Sequence, residues 1–215
     1  MLKIGHRGAK GYVAENTLAS FQKALELDVD IIELDVHVSK DNIPVVIHDE
    51  TVDRTTNAKG KVTNFTAKEL QNLGIPILEE VFDLVENRCG INIEIKDFEA
   101  TKAVLNLINH YSFDTEKIII SSFDWNVLQL CHTEKPAIHL GVLTENSIDK
   151  ALSFAKKISA YSIHPYFKLL NTENVQLMHQ NGFKIYPWTV NNPEDITFVK
   201  SFLVDGIITD FPDRL

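Results

Sequence analysis

Cysteine is scarce in this chain, and so are basic residues and long apolar runs. Only two of its 215 residues are cysteine, Cys89 and Cys131. Their separation fits no metal-binding spacing and both fall in segments that read as helical. Reduced, buried thiols are therefore expected, and a disulfide framework or a thiolate metal site is not. Lysine and arginine total 21 against 30 aspartates and glutamates, a formal net charge of -9. A nucleic-acid binder needs a basic face, which this balance argues against. It does not exclude an anionic small molecule, because a local site can be positive on an acidic protein. No apolar run is long enough to cross a bilayer. Met1 is followed almost at once by the strand-like IGHRG, so no leader is expected. A cytoplasmic protein with no membrane partner is expected.

What is present is the composition of an ordinary globular chain, 44% hydrophobic and 24% charged. That suffices for a sizeable core, and a single domain over residues 1–215 is expected. Short β-branched runs read as strands at residues 2–5, 31–37, 91–95, 117–121, 138–143, 158–163, 184–187 and 206–208. Between them, apolar residues recur at three- and four-residue spacing, the helical period. Asn171-Thr172 and Asn192-Pro193 mark helix starts and Gly182 a helix end. Eight strands alternating with helices predict a parallel sheet closed into a (β/α)8 TIM barrel. An open doubly wound sheet is the competitor, but no glycine-rich dinucleotide fingerprint follows the first strand. Residues 39–76 break the rhythm. Lys40-Asp41-Asn42 reads as a hairpin turn between IIELDVHV and PVVI, and RTTNAKGKV as a loop, so this stretch is expected to be a small insertion after the second strand.

Chemistry-bearing residues gather at predicted strand ends. In IIELDVH, Glu33 and Asp35 are two apart and face one side of the strand. Buried together they repel and lose water, penalties that a divalent cation relieves; an oxygen donor set suits Mg²⁺ or Ca²⁺. INIEIKD repeats the pattern with Asn92, Glu94 and Lys96, which places Glu94 beside the first two acids in the barrel mouth. One such acidic pair alone is more often an ion-paired structural feature; three acids converging at the catalytic end of a barrel favour function. His6 ends the first strand and His48 ends PVVIHDE, so both are candidates for acid–base work around neutral pH. Arg7 and Lys96 add fixed positive charge suited to phosphate. Trp188, Phe123 and Phe211 follow strand ends as possible walls. His37 shares the face of Glu33 and Asp35, and His164 is a candidate to line the site. His110, His132 and His179 read as helical, and His139 sits at a strand start, the wrong end for chemistry.

Taken together, HRG (6–8), ENT (15–17), ELDV (33–36), HDETVDRTT (48–56), IEIK (93–96), SSF (121–123), WTVN (188–191) and DGIITDFP (205–212) resemble the glycerophosphodiester phosphodiesterase family, in its motif order over nearly the whole chain. The resemblance implies a TIM barrel with a small insertion carrying the second catalytic histidine. It implies hydrolysis of glycerophosphodiesters, such as glycerophosphocholine or glycerophosphoethanolamine, to sn-glycerol 3-phosphate and an alcohol. By the same resemblance Glu33, Asp35 and Glu94 hold one divalent cation, and His6 and His48 form the acid–base pair; the resemblance does not order them, and His48 is assigned here as base and His6 as acid. Arg7, Glu15, Lys96 and Trp188 are implied on the substrate side. One departure is Ala14, where the family usually has proline before ENT; losing that fixed φ loosens the loop. Two rival readings are a barrel phospholipase of the sphingomyelinase D type and a non-catalytic glycerophosphodiester-binding protein.

Overall fold

In the computed structural model, which describes residues 1–215, nine strands join in one sheet. They are β1 (Leu2–Gly5), β2 (Ile31–Val38), β3 (Pro44–Val46), β4 (Gly90–Ile95), β5 (Ile118–Ser122), β6 (His139–Thr144), β7 (Ser162–Pro165), β8 (Lys184–Ile185) and β9 (Gly206–Thr209). The helices are α1 (Leu18–Glu26), α2 (Ala67–Asn72), α3 (Leu78–Val85), α4 (Ala100–His110), α5 (Trp125–Glu134), α6 (Ile148–Lys157), α7 (Thr172–Gln180) and α8 (Pro193–Lys200). All strands but β3 pair in parallel, in the order β8-β7-β6-β5-β4-β2-β1-β9. The seam between β8 and β9 is bridged by the backbone N–H groups of Asp205 to Ile185 (3.2 Å) and Ile208 to Pro187 (3.0 Å). The result is a nearly closed (β/α)8 barrel, as the alternation predicts.

Strand periodicity sorts the side chains. The outward set, including Ile32, Leu34 and Val36 of β2 and Ile91, Ile93 and Ile95 of β4, packs under the helices in one cluster of 48 buried residues. Burial of each such side chain contributes about 1.5–3 kcal/mol. The inward set begins with an apolar plug of Ile4, Ile31, Ile119, Tyr186 and Ile208 and turns polar towards the strand C-termini. Register fixes who meets whom there: Glu33 lies opposite Asn92, and Asp35 opposite Glu94.

β3 is the exception, antiparallel to β2 through the predicted turn, with His37 opposite Val45. The chain from Ser39 to Pro76 then folds over its own small core of Val45, Ile47, Val52, Val62, Ala67, Leu70 and Ile75. Helix α2 starts at a reciprocal Thr66–Glu69 capping box. Asn192 and Pro193 open α8, and Gly182 follows α7 with a left-handed φ of 82°.

Two expectations are corrected. The strand expected at 158–163 begins only at Ser162, because α6 runs to Lys157 and Ser159 turns left-handed (φ 49°). Cys89 is not helical: α3 stops at Val85, where Glu86 and Asn87 both take positive φ, and Cys89 lies in the bend before β4. Both thiols are free and buried.

Candidate active site

The polar mouth is built from the first strand outward. After β1, Arg7 adopts φ 50° and Gly8 φ 86°, a sharp turn in which a Cβ on Gly8 would sit 2.5 Å from Ser20 Oγ. That turn points the Arg7 N–H at Glu33 Oε2 (2.8 Å). It also brings the guanidinium to Glu15, with Nη1 donating to Oε1 at 2.7 Å, and to Asp35, with Nε 3.1 Å from Oδ2. Asn16, itself at φ 55°, donates its amide to Asp35 Oδ2 at 2.8 Å. Lys96 forms ion pairs with Glu94 and with Asp35, the latter at 3.4 Å.

Glu33, Asp35 and Glu94 present carboxylate oxygens within 4.8 Å of one another, all three side chains being buried. Burial, then the neighbouring carboxylates Asp35 and Glu94, raise the pKa of Glu33 well above the usual range. Burial and Asp35 push that of Glu94 up to about 7. Asp35 is buried too, yet Lys96 and Arg7 hold it below its ordinary value. Two of the three acids thus favour their protonated form, because the surrounding cations do not compensate a third negative charge in the cluster. Asn92 adds a buried amide oxygen with no partner. Hard oxygen donors with excess negative charge fit a divalent cation such as Mg²⁺ or Ca²⁺.

Two imidazoles flank this cluster, each backed by a carboxylate. His6 Nδ1 donates to Asp210 Oδ1 at 2.6 Å, and Asp210 is held in turn by the Asn191 amide at 2.8 Å. His48 Nδ1 donates to Asp49 Oδ1 at 2.6 Å, and Arg54 donates from Nε to Asp49 Oδ2 at 2.6 Å. A carboxylate can only accept, so the proton sits on Nδ1 and each Nε2 is left without a partner from the chain. Burial lowers the pKa of both rings, only partly offset by the acids beside them, chiefly Asp210 for His6 and Asp35 for His48.

A cavity of about 110 Å³ lies between the rings, lined by His6, Arg7, Glu33, His48, Asn92, Glu94, Lys96, Phe123, Leu143, Trp188, Thr189 and Ile208. The Trp188 indole is fixed by donation to the His164 carbonyl (2.8 Å) and by an edge contact with Phe123. Glu15 stands outside this cavity, its carboxylate taken by Arg7, by Arg54 (2.6 Å) and, at 3.6 Å, by Lys10. These cations outweigh its burial and hold its pKa down at about 2. His164 does not line the cavity; it is buried within the barrel against Ser162. Phe211 packs instead between Tyr12 and Arg214, and His139 and His179 lie away from the site against Tyr161 and Asp205.

The carboxylates behind the two histidines were missed from sequence, although Asp49 and Asp210 fall inside HDETVDRTT and DGIITDFP. So was the part played by His37. Its Nδ1 donates to Asp97 (2.8 Å) and its Nε2 faces the His48 carbonyl at 3.1 Å, clasping the hairpin to the strand below.

The profile of the "Glycerophosphoryl diester phosphodiesterase family" matches residues 6–214, from the first histidine to the chain's last arginine. The chain belongs to this family. A glycerophosphodiester phosphodiesterase of Caldanaerobacter subterraneus subsp. tengcongensis is 40% identical over 100% of this chain and 96% of that one. Another, of Bacillus altitudinis, is 39% identical over the same shares. Among solved structures, the glycerophosphodiester phosphodiesterase of Thermotoga maritima superimposes with a TM-score of 0.87 at 34% identity, covering 99% of this chain and 96% of that one. Membership of this phosphodiesterase family makes the chain an enzyme. No helix is long and apolar enough to cross a membrane.

Proposed function

We propose that the protein hydrolyses glycerophosphodiesters, glycerophosphocholine and glycerophosphoethanolamine among them, to sn-glycerol 3-phosphate and an alcohol, with a divalent cation as cofactor. The observation that carries this reading is the placement of two carboxylate-backed imidazoles in one cavity with a buried acidic triad and two fixed cations. Glu33, Asp35 and Glu94 hold Mg²⁺ or Ca²⁺, whose charge, when bound, neutralises phosphate and stabilises the transition state. Arg7 and Lys96 bind phosphoryl oxygens at the cavity wall, and Glu15 keeps the Arg7 guanidinium turned towards it. Trp188 provides a flat wall for the glycerol carbons. Of the two free Nε2 atoms, one takes the proton of the attacking hydroxyl and the other supplies one to the departing oxygen. Two free buried thiols and a net charge of -9 suit a cytoplasmic enzyme acting on small diesters.

The test is release of glycerol 3-phosphate from glycerophosphocholine, followed by a coupled dehydrogenase. Activity should vanish in EDTA and return with Mg²⁺ or Ca²⁺. Turnover that persists in EDTA, or intact substrate under every cation, overturns the reading.

A further inference from the structure

The oxygens of the acidic triad are unequally held. Glu33 Oε2 accepts the Arg7 backbone N–H at 2.8 Å, and Asp35 Oδ2 accepts the Asn16 amide at 2.8 Å with the Arg7 Nε at 3.1 Å. Asp35 Oδ1 and Glu94 Oε1 are faced by a single group, the Lys96 ammonium, which stands 3.4 Å from the former. We propose that Lys96 is an exchange residue: it rests on Asp35 and Glu94 until they take a divalent cation, then turns to a phosphoryl group in the central cavity, so that one side chain couples the two binding events. This rests on the phosphodiesterase reading above and gives its binding steps an order, cation before anion.

Lys96 is the group that must give way. A cation held by all three acids needs an oxygen from each. Glu33 Oε1 and Glu94 Oε2 have no donor from the chain, whereas both oxygens of Asp35 are covered. On Oδ2 the Arg7 guanidinium is itself pinned, by its backbone N–H on Glu33 and its Nη1 on Glu15. Oδ1 is released by moving Lys96 alone. The Lys96 backbone can stay in place, its N–H donating to the Val36 carbonyl at 3.0 Å. Beyond it, a flexible four-carbon stem carries a point charge that needs no fixed orientation, unlike a guanidinium fork. An ammonium and a divalent ion on the same carboxylate repel each other at this range.

The cavity supplies the second position. Lys96 lines it beside Arg7, His6 and His48, and its side chain is 17% exposed against 1% for Asp35. Charge gives the order. Glu33, Asp35 and Glu94 face two cations, Arg7 and Lys96, which leaves one negative charge in excess when all three acids are ionised. That balance repels a phosphodiester anion. A bound divalent ion reverses it to one positive charge, which a single anionic phosphodiester neutralises. Reciprocity then requires the anion to tighten the cation by the same factor.

Calorimetry on wild type and Lys96→Met tests this, with Mg²⁺ and sn-glycerol 3-phosphate each titrated alone and over the other, and Ca²⁺ run in parallel. In wild type the cation should lower the Kd of glycerol 3-phosphate by about 100-fold. Lys96→Met leaves Asp35 Oδ1 and Glu94 Oε1 open beforehand, so it should bind the cation alone about tenfold more tightly. Its gain in anion affinity on adding cation should shrink to about tenfold. A lysine fixed on the acids, or fixed on phosphate, would instead change anion affinity by one factor with and without cation. In wild-type crystals soaked with both ligands, Lys96 Nζ should sit on a phosphoryl oxygen and out of ion-pair distance from Asp35. Undiminished coupling in folded Lys96→Met, or Lys96 still paired with Asp35 and Glu94 in the loaded crystal, overturns the inference, while cation-dependent hydrolysis keeps the phosphodiesterase reading. If wild type binds neither Mg²⁺ nor Ca²⁺, both fall.

Discussion

The two ends of the barrel interior are built on the same strands and differ in kind. Along β1 the inward positions read Ile4 then His6; along β2, Ile31 then Glu33; along β5, Ile119 then Ser121. Beyond β8 they read Tyr186 then Trp188, and along β9, Ile208 then Asp210. Each pair is two residues apart on one face, so a rise of one pleat repeat separates a dry plug from a polar mouth. The two layers are not distinguished by burial, since Ile31 is 8% exposed and Glu33 3%. They are distinguished by what burial does to them. In the plug it contributes stability directly. In the mouth it raises the energy of like charges and strips water from imidazoles, so that layer stands only because Arg7, Lys96, Asp210 and Asp49 answer it with pairs. Fold stability and catalytic capacity are thus placed in separate layers of one cylinder.

That separation can be broken or sharpened by substitution. His6→Ala or His48→Ala should reduce turnover by about 100-fold or more in steady-state assays while the thermal midpoint moves little. In the plug, Ile119→Ala, away from the cavity lining, should do the opposite, costing about 2–5 kcal/mol in denaturant titration with turnover per folded molecule far less affected. A large activity loss from Ile119→Ala at full folding would dissolve the distinction. His37→Phe lies between the layers' behaviours, because it strips a partner from the His48 carbonyl and from Asp97. It should cost about 1–3 kcal/mol in stability and lower kcat more than it changes KM.

Glu94 sharpens the contrast by its pH dependence. Its carboxyl, ordinarily near 4.5, titrates at about 7 in the folded cation-free protein. The folded state holds this proton more tightly than the unfolded chain, so the stabilisation is full below about 4.5 and is lost as pH rises through about 7. His6 and His48, lowered by burial, act in the opposite sense as pH falls, so the quantity to measure is the difference between wild type and Glu94→Gln. In EDTA, Glu94→Gln should gain relative to wild type between pH 5 and pH 8 in thermal unfolding, on the order of 1 kcal/mol, and saturating Mg²⁺ should abolish that gain. A difference that does not change with pH would place the charge burden elsewhere in the triad. The smallest effect is expected at Arg54, a half-exposed link between Asp49 and Glu15. Arg54→Gln should cost under about 1 kcal/mol in stability and change kcat/KM only a few-fold.

Sequence patterning reached most of this arrangement because its period is local. Glu33-x-Asp35 and Asn92-x-Glu94 announce an inward face without reference to anything distant, and β2 and β4 do place those residues opposite one another. Local pattern failed where a short segment could satisfy two periods. Ile158–Ala160 is as β-branched and small as a strand start, but the helix before it is better terminated by a left-handed Ser159 than extended as sheet. Cys89 follows an apolar helical stretch, and only the positive φ of Glu86 and Asn87 shows that the helix has ended. The pairs that hold the histidines lay out of reach for a different reason. Asp210 is 204 residues from His6, and Asp97 is 60 from His37. No spacing rule spans such distances, and only the closing of the sheet brings them together.

The pairing of β1 with β9 makes the first stave of the barrel to be synthesised wait for its last. His6 emerges early, yet its supporting carboxylate and the Asn191 that steadies it arrive only when Leu2 to Gly5 have aligned with Gly206 to Thr209. A polypeptide halted before that stave docks would carry the acidic cluster and the second imidazole without a working first one. Competence therefore switches on with completion of the cylinder rather than growing in proportion to its length.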